Sequence, residues 1–355
     1  MLVPVERIDS MKADLELTLS VADYHRTRPL LDGDVKLAGI KPSFYTAARG
    51  EACLRPVYEE FDVAEMSLSW YAMARSRNEP VYALPIFPMR MFVQPYIYCG
   101  ANSAIKEPRD LIGKRIGMDR YRLTIGLWAR GILQERHGVK PNQLHWFTTD
   151  PEGAGFQAPA DIKVTVTGED AEDMLLKGDV DALISANVPN SFRAGDPRIR
   201  RLFEPCRSAV EQYFAATGIF PITHTLVVRE ELLEREPWIV DSLVNAFEAA
   251  DAFCRREYDY PKRLFFPTAQ LILEEEEQRF GKNPWQDGLA PNARTLDKFM
   301  QYAAAQGYTP RVLSIAEAFW PGIKAADASE RPTARLVGVA QLSETGSPPA
   351  EKCSF

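Results

Sequence analysis

The chain has 355 residues, of which 46% are hydrophobic and 26% are charged, and its net charge is -7 at pH 7. This composition is typical of a globular protein, and the length allows two hydrophobic cores, because single cores stop growing at roughly 250–300 residues. The negative charge argues against nucleic-acid binding, which needs a clustered basic surface.

The pattern of charges and cysteines also argues against a membrane or exported protein. No apolar run approaches the ~20 residues of a membrane span. Charged residues interrupt the first sixteen positions, so no secretory signal is expected. The five cysteines lack the spacing of a zinc or redox motif. We therefore expect a cytoplasmic protein with reduced thiols.

The first part of the chain predicts short strands alternating with turns and helices. Residues 15–21 alternate apolar and polar side chains, as strands do, and end in the polar turn 23–27. The segment FDVAEMSLSWYAMARSR, residues 61–77, predicts a buried strand that ends at small hydroxylated residues and runs directly into a helix. Other elements predicted here are strands at 36–45 and 81–86 and a helix at 51–58.

The remaining chain predicts two crossing segments and a helical C-terminal part. Residues 87–99 are marked by prolines and read as an extended crossing. A second crossing is placed at 218–225. Strands are predicted at 113–118, 162–166, 181–185 and 224–229, and helices within 119–138 and at 170–177, 208–216, 237–256, 270–280, 292–306 and from the capping box 314–317.

Two crossings imply two α/β lobes joined by a hinge. The first lobe is discontinuous, residues 1–92 and 224–325, and the second is residues 93–223. Residues 326–355 are expected to be a loosely ordered tail. Open α/β sheets bind ligands outside the carboxyl ends of their strands, so a site is expected in the cleft between the lobes. A single doubly wound sheet is the alternative.

Six segments form a pattern when they are read in order. They are LTLSVADYHRTRPLLDG, FDVAEMSLSWYAMARSR, FPMRMF, GKRIGMDRYRLTIGLWARGIL, TGIFPITHTLVVR and GKNPWQDGLAPNARTL. With these segments in view, the chain resembles the 4,5-dihydroxyphthalate decarboxylase family over most of residues 15–320. The resemblance implies a type 2 periplasmic-binding-protein-like fold with a hinge and an interlobe cleft, in a cytoplasmic enzyme.

Three places depart from the pattern of that family. Gln94 stands where the family has a histidine, and His25 where it has an aspartate. Gln286 and Asp287 replace a proline and a tyrosine. If these positions face the ligand, the substrate differs from 4,5-dihydroxyphthalate and the catalytic pattern is rearranged.

The resemblance implies decarboxylation without an organic cofactor. An aromatic acid loses carbon dioxide most easily when the carbon bearing the carboxylate is first protonated, and a para hydroxyl stabilises the resulting cation. Each carboxylate of 4,5-dihydroxyphthalate has such a hydroxyl. The site must then supply an anion clamp for the retained carboxylate, a base for the phenol and an acid directed at the ring carbon.

Arg26 and Arg90 are the predicted carboxylate clamp, because a planar guanidinium can form two parallel hydrogen bonds with a carboxylate. Tyr121, Thr124 and the amides at the start of the 119–138 helix are expected to form an anion site behind them. The alternative for each arginine is that it ties loops together through acidic neighbours.

Three further residues are predicted to contact the substrate. Ser67 and Ser69 are hydrogen-bond donors at a strand end, although either one is also suited to cap the following helix. Trp285 would close over the aromatic ring as a lid, or else pack in the core.

His224 is the first candidate for the general acid, because it lies at the second crossing and histidine titrates near ~6.5. His25 is the second candidate and is also suited to be the phenol base, as is Asp23. Glu65 is a further candidate base, but its alternation with buried Met66 favours a side chain that faces solvent or pairs with a hinge arginine. A structural role stays open for each of these residues.

His137 and His145 are expected to be structural, and no metal site is expected. The chain has four histidines and lacks the His-x-His and His-Glu-x-x-His motifs.

The sequence thus favours a cofactor-independent decarboxylase of a hydroxylated aromatic dicarboxylate. A non-catalytic cytoplasmic solute-binding protein for an aromatic acid is the main alternative, and a ring-opening or hydrolytic enzyme is a third. The expected partner is a small aromatic acid, with no nucleic acid and no membrane. A homo-oligomer is also expected, since long C-terminal helices permit one.

Overall fold

Two β-sheets, each covered by helices, organise the fold. The computed structural model describes residues 14–46, 57–153 and 155–323. Most of the helix predicted at 51–58 and the tail predicted at 326–355 lie outside these ranges. Within them, no helix is both long and apolar enough to span a membrane.

The first sheet is built from both ends of the chain. Its order is β2-β1-β3-β11-β4, and β11 runs antiparallel between β3 and β4 whereas β1, β2 and β3 are parallel. All five residues of β3 are buried. The strands are β1 Leu15–Ser20, β2 Ile40–Tyr45, β3 Val63–Ser67, β4 Val81–Leu84 and β11 His224–Arg229.

The second sheet is built from the middle of the chain. Its order is β10-β5-β9-β6-β7-β8. The strands β9, β6, β7 and β8 are parallel to one another, and β5 is antiparallel to both β9 and β10. Two separate sheets exclude the single doubly wound sheet. The strands are β5 Ile97–Gly100, β6 Arg115–Met118, β7 His145–Thr148, β8 Lys163–Val166, β9 Ala182–Ile184 and β10 Ile199–Arg201.

Most helices follow the predicted order with adjusted ends, and short helices at 28–31, 190–193 and 230–235 were not predicted. The predicted capping box is confirmed, because Ser314 and Glu317 bond reciprocally at the start of the last described helix. The helices are α1 Arg28–Leu31, α2 Leu68–Ser76, α3 Thr124–His137, α4 Ala171–Lys177, α5 Asn190–Arg193, α6 Cys206–Thr217, α7 Glu230–Arg235, α8 Ile239–Arg255, α9 Ala269–Phe280, α10 Leu289–Ala305 and α11 Ile315–Ala318.

The two crossing segments lie side by side and pair through their backbones. Met91 N–H donates to Pro221 at 3.1 Å, and Thr223 N–H donates to Met89 at 3.0 Å. Arg90 and Ile222 form the antiparallel bridge between them. This double crossing is the hinge between the first lobe, which contains the first sheet, and the second lobe, which contains the second.

Helix α10 packs on the second lobe although it follows the first-lobe strand β11 in the chain. Trp128 of α3 contacts Tyr302 edge-on at 5.7 Å between ring centroids. Gly131 allows this approach, because a Cβ atom there would lie 2.2 Å from the Tyr302 ring. The buried Arg130 donates to Gln306, at the end of α10, at 2.7 Å. The C-terminal helices therefore hold the second lobe in place as well as the first.

Candidate active site

A buried carboxylate and a histidine meet at the hinge. Glu65 on β3 is 2% exposed, and its Oε1 lies 2.5 Å from Nδ1 of His224, the first residue of β11. The His224 side chain is 12% exposed, so it is the more accessible member of the pair. A carboxylate on Nδ1 fixes the orientation and the tautomer of an imidazole, as in a catalytic triad.

The strand register explains this pairing. His224 is the direct partner of Ser67 in the antiparallel β3–β11 pair, and Leu226 is the partner of Glu65. Side chains two positions apart on a strand share a face, so Glu65 and His224 are diagonal neighbours on one face of the sheet. The sequence interpretation that Glu65 faces solvent or pairs with a hinge arginine is wrong, because β3 is buried on both faces and β11 brings the histidine to it.

Two further donors hold Glu65 in its ionised form. The Tyr24 hydroxyl donates to Oε1 at 2.8 Å, and the Ala22 amide donates to Oε2 at 3.0 Å. Burial alone would raise the pKa of Glu65, but hydrogen bonds from His224, Ala22 and Tyr24 outweigh it and hold the pKa below its usual range. The resulting negative charge favours the protonated imidazole of His224, which is the form that donates a proton.

A cluster of three hydroxyl groups joins the two lobes beside this pair. Ser67 Oγ lies 2.8 Å from Thr124 Oγ1, and the Ser69 amide donates to Thr124 Oγ1 at 3.0 Å. Ser67 and Ser69 belong to the start of α2 in the first lobe, and Thr124 begins α3 in the second. Two helix N-termini therefore converge here, and their partial positive charge suits an anion. The Ser67 side chain forms no capping bond to its own helix.

Arg26, Arg90 and Trp285 form a second group along the first crossing. Arg26 donates to the Phe87 carbonyl and to Asp287, each at 3.1 Å. The Arg26 guanidinium also lies over the Trp285 ring, 5.0 Å from its centroid. The structure thus brings the two predicted clamp arginines and the predicted lid to one place, but it pairs Arg26 with an internal carboxylate.

Arg90 is deeply buried and only partly bonded. It is 5% exposed, Nη2 donates to the Gln286 carbonyl at 2.8 Å, and Nε has no hydrogen-bond partner among the described residues. Burial lowers the pKa of Arg90 to about 10, against the opposing effect of Asp287. Through its bridge with Ile222, Arg90 lies on the same backbone ladder as His224, two residues further along.

His25 and Asp23 are both exposed and engaged elsewhere. His25 Nε2 bonds Glu257 at 2.9 Å, and Asp23 pairs with Arg28. Tyr24, between them, points inward to Glu65. The contacts of His25 and Asp23 therefore do not support the prediction that they act as acid and base. Side chains in this turn point alternately outward and inward, and only Tyr24 points toward Glu65.

Tyr121 lies in the core of the second lobe rather than in the seam between the lobes. Its ring is fully buried and stands edge-on to Trp146, with centroids 5.3 Å apart. Its amide, predicted to be free for an anion, donates to Glu152 at 2.7 Å, as the amide of Arg122 does at 2.8 Å. An internal carboxylate thus fills the anion position that the sequence predicted beside Tyr121.

The remaining histidines lie away from the hinge. His145 on β7 bonds Thr165 at 3.0 Å, and the ring of His137 packs on Phe203. Within residues 14–46, 57–153 and 155–323, no three His, Cys, Asp or Glu side chains are arranged to hold a metal ion.

A depression of about 530 Å³ on the first lobe contains none of the predicted site residues. Its lining residues are Tyr58, Glu59, Trp70, Arg77, Glu79, Pro80 and Arg229. The candidate catalytic and binding side chains lie instead at the hinge and between the lobes, where they contact one another directly.

Two curated relatives match this chain. One covers most of it and the other covers more than half of it. A 4,5-dihydroxyphthalate decarboxylase from Comamonas testosteroni is 34% identical over 319 residues, which is 86% of this chain and 97% of that protein. A protein of the same name from Pseudomonas putida is 33% identical over 212 residues, which is 57% of this chain and 82% of that protein. No family model matches the chain.

The fold also matches solved structures of binding proteins. The periplasmic aliphatic sulphonate binding protein SsuA from Escherichia coli has a TM-score of 0.55 and 16% identity, covering 92% of this chain and 98% of that chain. The chain therefore has a two-lobed type 2 periplasmic-binding-protein-like fold, as predicted. At this identity the similarity concerns the fold alone.

Proposed function

Because the chain belongs to the 4,5-dihydroxyphthalate decarboxylase family, we propose that it decarboxylates 4,5-dihydroxyphthalate, or a close hydroxylated aromatic dicarboxylate, to 3,4-dihydroxybenzoate and carbon dioxide. The observation that carries this proposal is the Glu65–His224 pair at the hinge, since it provides a positioned proton donor. Binding of a solute without catalysis does not require a buried carboxylate that orients a histidine.

His224 acts as the general acid in the proposed reaction. Its imidazolium delivers a proton to the ring carbon that bears the departing carboxylate, while the para hydroxyl releases its proton to solvent, which gives a dienone. The bond between this carbon and the carboxylate then breaks, and its electron pair restores the aromatic ring. The phenolate takes a proton back from solvent once the carboxylate has left. One proton is consumed per carbon dioxide released, and no organic cofactor takes part.

The hydroxyl cluster and Arg90 bind the anionic parts of the substrate. Arg90 holds the retained carboxylate, because its buried Nε has no partner among the described residues. The convergent starts of α2 and α3 stabilise the negative charge that develops on the phenol oxygen. Ser67 is the partner of His224 in the strand pair, and Arg90 pairs with Ile222, two residues before His224.

The direct test is to incubate the purified protein with 4,5-dihydroxyphthalate and measure both products. Carbon dioxide and 3,4-dihydroxybenzoate should form in equal amounts without added metal or cofactor. Tight binding of several hydroxylated phthalates without product would support the solute-binding alternative instead. Ring-opened products would support the third.

A further inference from the structure

Arg26 is already paired with a carboxylate inside the protein. Burial raises the pKa of this carboxyl, Asp287, and the charges of Arg26 and Arg90 oppose that rise. Arg26 Nη2 lies 3.1 Å from Asp287 Oδ2, and the two side chains are 12% and 5% exposed. The other oxygen of Asp287 accepts the Phe87 amide at 2.8 Å. A carboxylate in this position does for Arg26 what the carboxylate of a substrate would otherwise do.

Arg90 lies nearby and forms no such close ion pair among the described residues, although Asp287 acts on its charge at longer range. No acidic side chain in the described parts of the chain forms a salt bridge with Arg90, whose Nη2 donates to the neutral carbonyl of Gln286. Its guanidinium lies 5.3 Å from the centroid of Phe87 and 5.8 Å from that of Phe220. A buried cation with an unused donor and aromatic walls is suited to an aromatic carboxylate.

The loop that carries Asp287 is fastened to the first crossing. The Gly288 amide donates to the Pro85 carbonyl at 2.8 Å, and Asn292 donates to the carbonyls of Gln286 and Gly288, both at 2.8 Å. Asp287 is therefore held against Arg26 by the backbone on both sides, rather than by a side-chain contact that a ligand would easily displace.

We propose that Asp287 determines substrate specificity by acting as the permanent counter-ion of Arg26, so that Arg90 alone supplies the guanidinium that binds the substrate carboxylate. This inference rests on the proposed function, because it concerns how that site recognises an aromatic dicarboxylate. It replaces the two-arginine clamp that the sequence predicted with a single arginine and an internal ion pair.

The consequence is a particular order of charge effects. Removing the Asp287 charge exposes a second cation to the ligand, and this favours dianions over monoanions. Removing the Arg26 charge leaves Asp287 as an uncompensated anion. This anion repels monoanionic and dianionic ligands, and it repels dianions more strongly. Removing both charges restores the balance of the native protein.

Calorimetric titration with phthalate and with benzoate tests this order, because neither compound carries the hydroxyl that the reaction needs. The variants are Asp287→Asn, Arg26→Gln, the double variant, and Arg90→Gln as a matched arginine control. We expect phthalate binding to strengthen several-fold in Asp287→Asn and to weaken about 10-fold or more in Arg26→Gln. The double variant should bind phthalate within about threefold of the native protein, whereas Arg90→Gln should lose about 10–100-fold for phthalate and less for benzoate.

A double variant that loses as much phthalate affinity as Arg26→Gln would overturn the inference, because Arg26 would then contact the ligand directly. If Arg26→Gln does not fold, the double variant decides alone, since removal of both charges of a buried pair is usually tolerated. Failure of the proposed function gives a different result. The native protein would then bind phthalate without converting 4,5-dihydroxyphthalate, or would bind no aromatic carboxylate, in which case the inference falls with it.

Discussion

Replacing Glu65 by glutamine isolates the charge that acts on His224. Glutamine keeps the size of the side chain and one oxygen that can accept from His224 or Tyr24. It loses the negative charge that favours the imidazolium. The substitution therefore tests electrostatics rather than packing.

The contact geometry sets the size of the expected effect. Nδ1 and Oε1 are 2.5 Å apart. The centres of the two delocalised charges are then roughly 4 Å apart, and at an effective dielectric constant of about 20 their attraction is about 4 kcal/mol. Loss of this attraction in Glu65→Gln should destabilise the imidazolium relative to the neutral imidazole by up to about the same amount.

We expect Glu65→Gln to lower kcat about 100–1000-fold at pH 7.5 and to change KM less than about threefold. The rate of 3,4-dihydroxybenzoate formation, followed by absorbance between pH 6 and pH 8, is the assay. The variant should recover activity relative to the native enzyme as the pH falls, because acid repopulates the imidazolium. Tyr24→Phe is the matched control, since it removes one donor to the same oxygen and keeps the charge.

Two results would refute this reasoning. One is a kcat within about fivefold of the native value in Glu65→Gln. The other is a large loss that does not diminish toward pH 6, which would mean that glutamine misplaces the histidine instead of changing its protonation.

Three further predictions concern binding and stability. Arg90→Ala should weaken the binding of aromatic dicarboxylates more than that of monocarboxylates in calorimetry, and equal weakening would argue against a carboxylate clamp. Thr124→Val should lower the free energy of unfolding by about 1–3 kcal/mol, because it leaves the Ser69 amide and the Ser67 hydroxyl without their buried partner. Thr148→Val is the control, since its buried hydroxyl has no described partner, and it should change the free energy of unfolding little. Equal losses of unfolding free energy in denaturant titrations would contradict this. The pKa of Glu65 is held below its ordinary 4.5, so its ionised form contributes stability that is present above that pH and is lost as the pH falls through the folded pKa. The difference in Tm between the native protein and Glu65→Gln should therefore narrow on acidification. A difference that stays constant with pH would contradict the assignment.

Local sequence patterns predicted most of the fold. Local signals such as apolar alternation, prolines and polar strand ends predict the strands at 63–67 and 224–229 and the two crossings. The short strands β5 and β10 were missed, since β5 lies inside the segment interpreted as an extended crossing, and β10 has only three residues.

The chemical environment of the site residues was less predictable than their position. His224 was identified from its place at the second crossing, but its partner Glu65 depends on the register between two strands that are 159 residues apart. The pairing of Arg26 with Asp287 spans 261 residues. Contacts of this range are set by tertiary packing, which no local pattern encodes.

Turn direction explains the remaining differences. Asp23, Tyr24 and His25 are consecutive, and the backbone turn points only the tyrosine toward Glu65. The sequence marks all three as polar and does not say which one faces inward. His25 and Asp23, the predicted phenol bases, bond to other side chains in the structure, and their catalytic role stays a prediction.

The central claim is that His224 supplies the proton that releases carbon dioxide. His224→Ala, compared with the matched control His145→Ala, tests it by single-turnover product formation together with calorimetric binding of 4,5-dihydroxyphthalate. We predict that His224→Ala binds the substrate and forms almost no 3,4-dihydroxybenzoate, while His145→Ala behaves as the native enzyme does. Product formation by His224→Ala at the native rate would contradict the account.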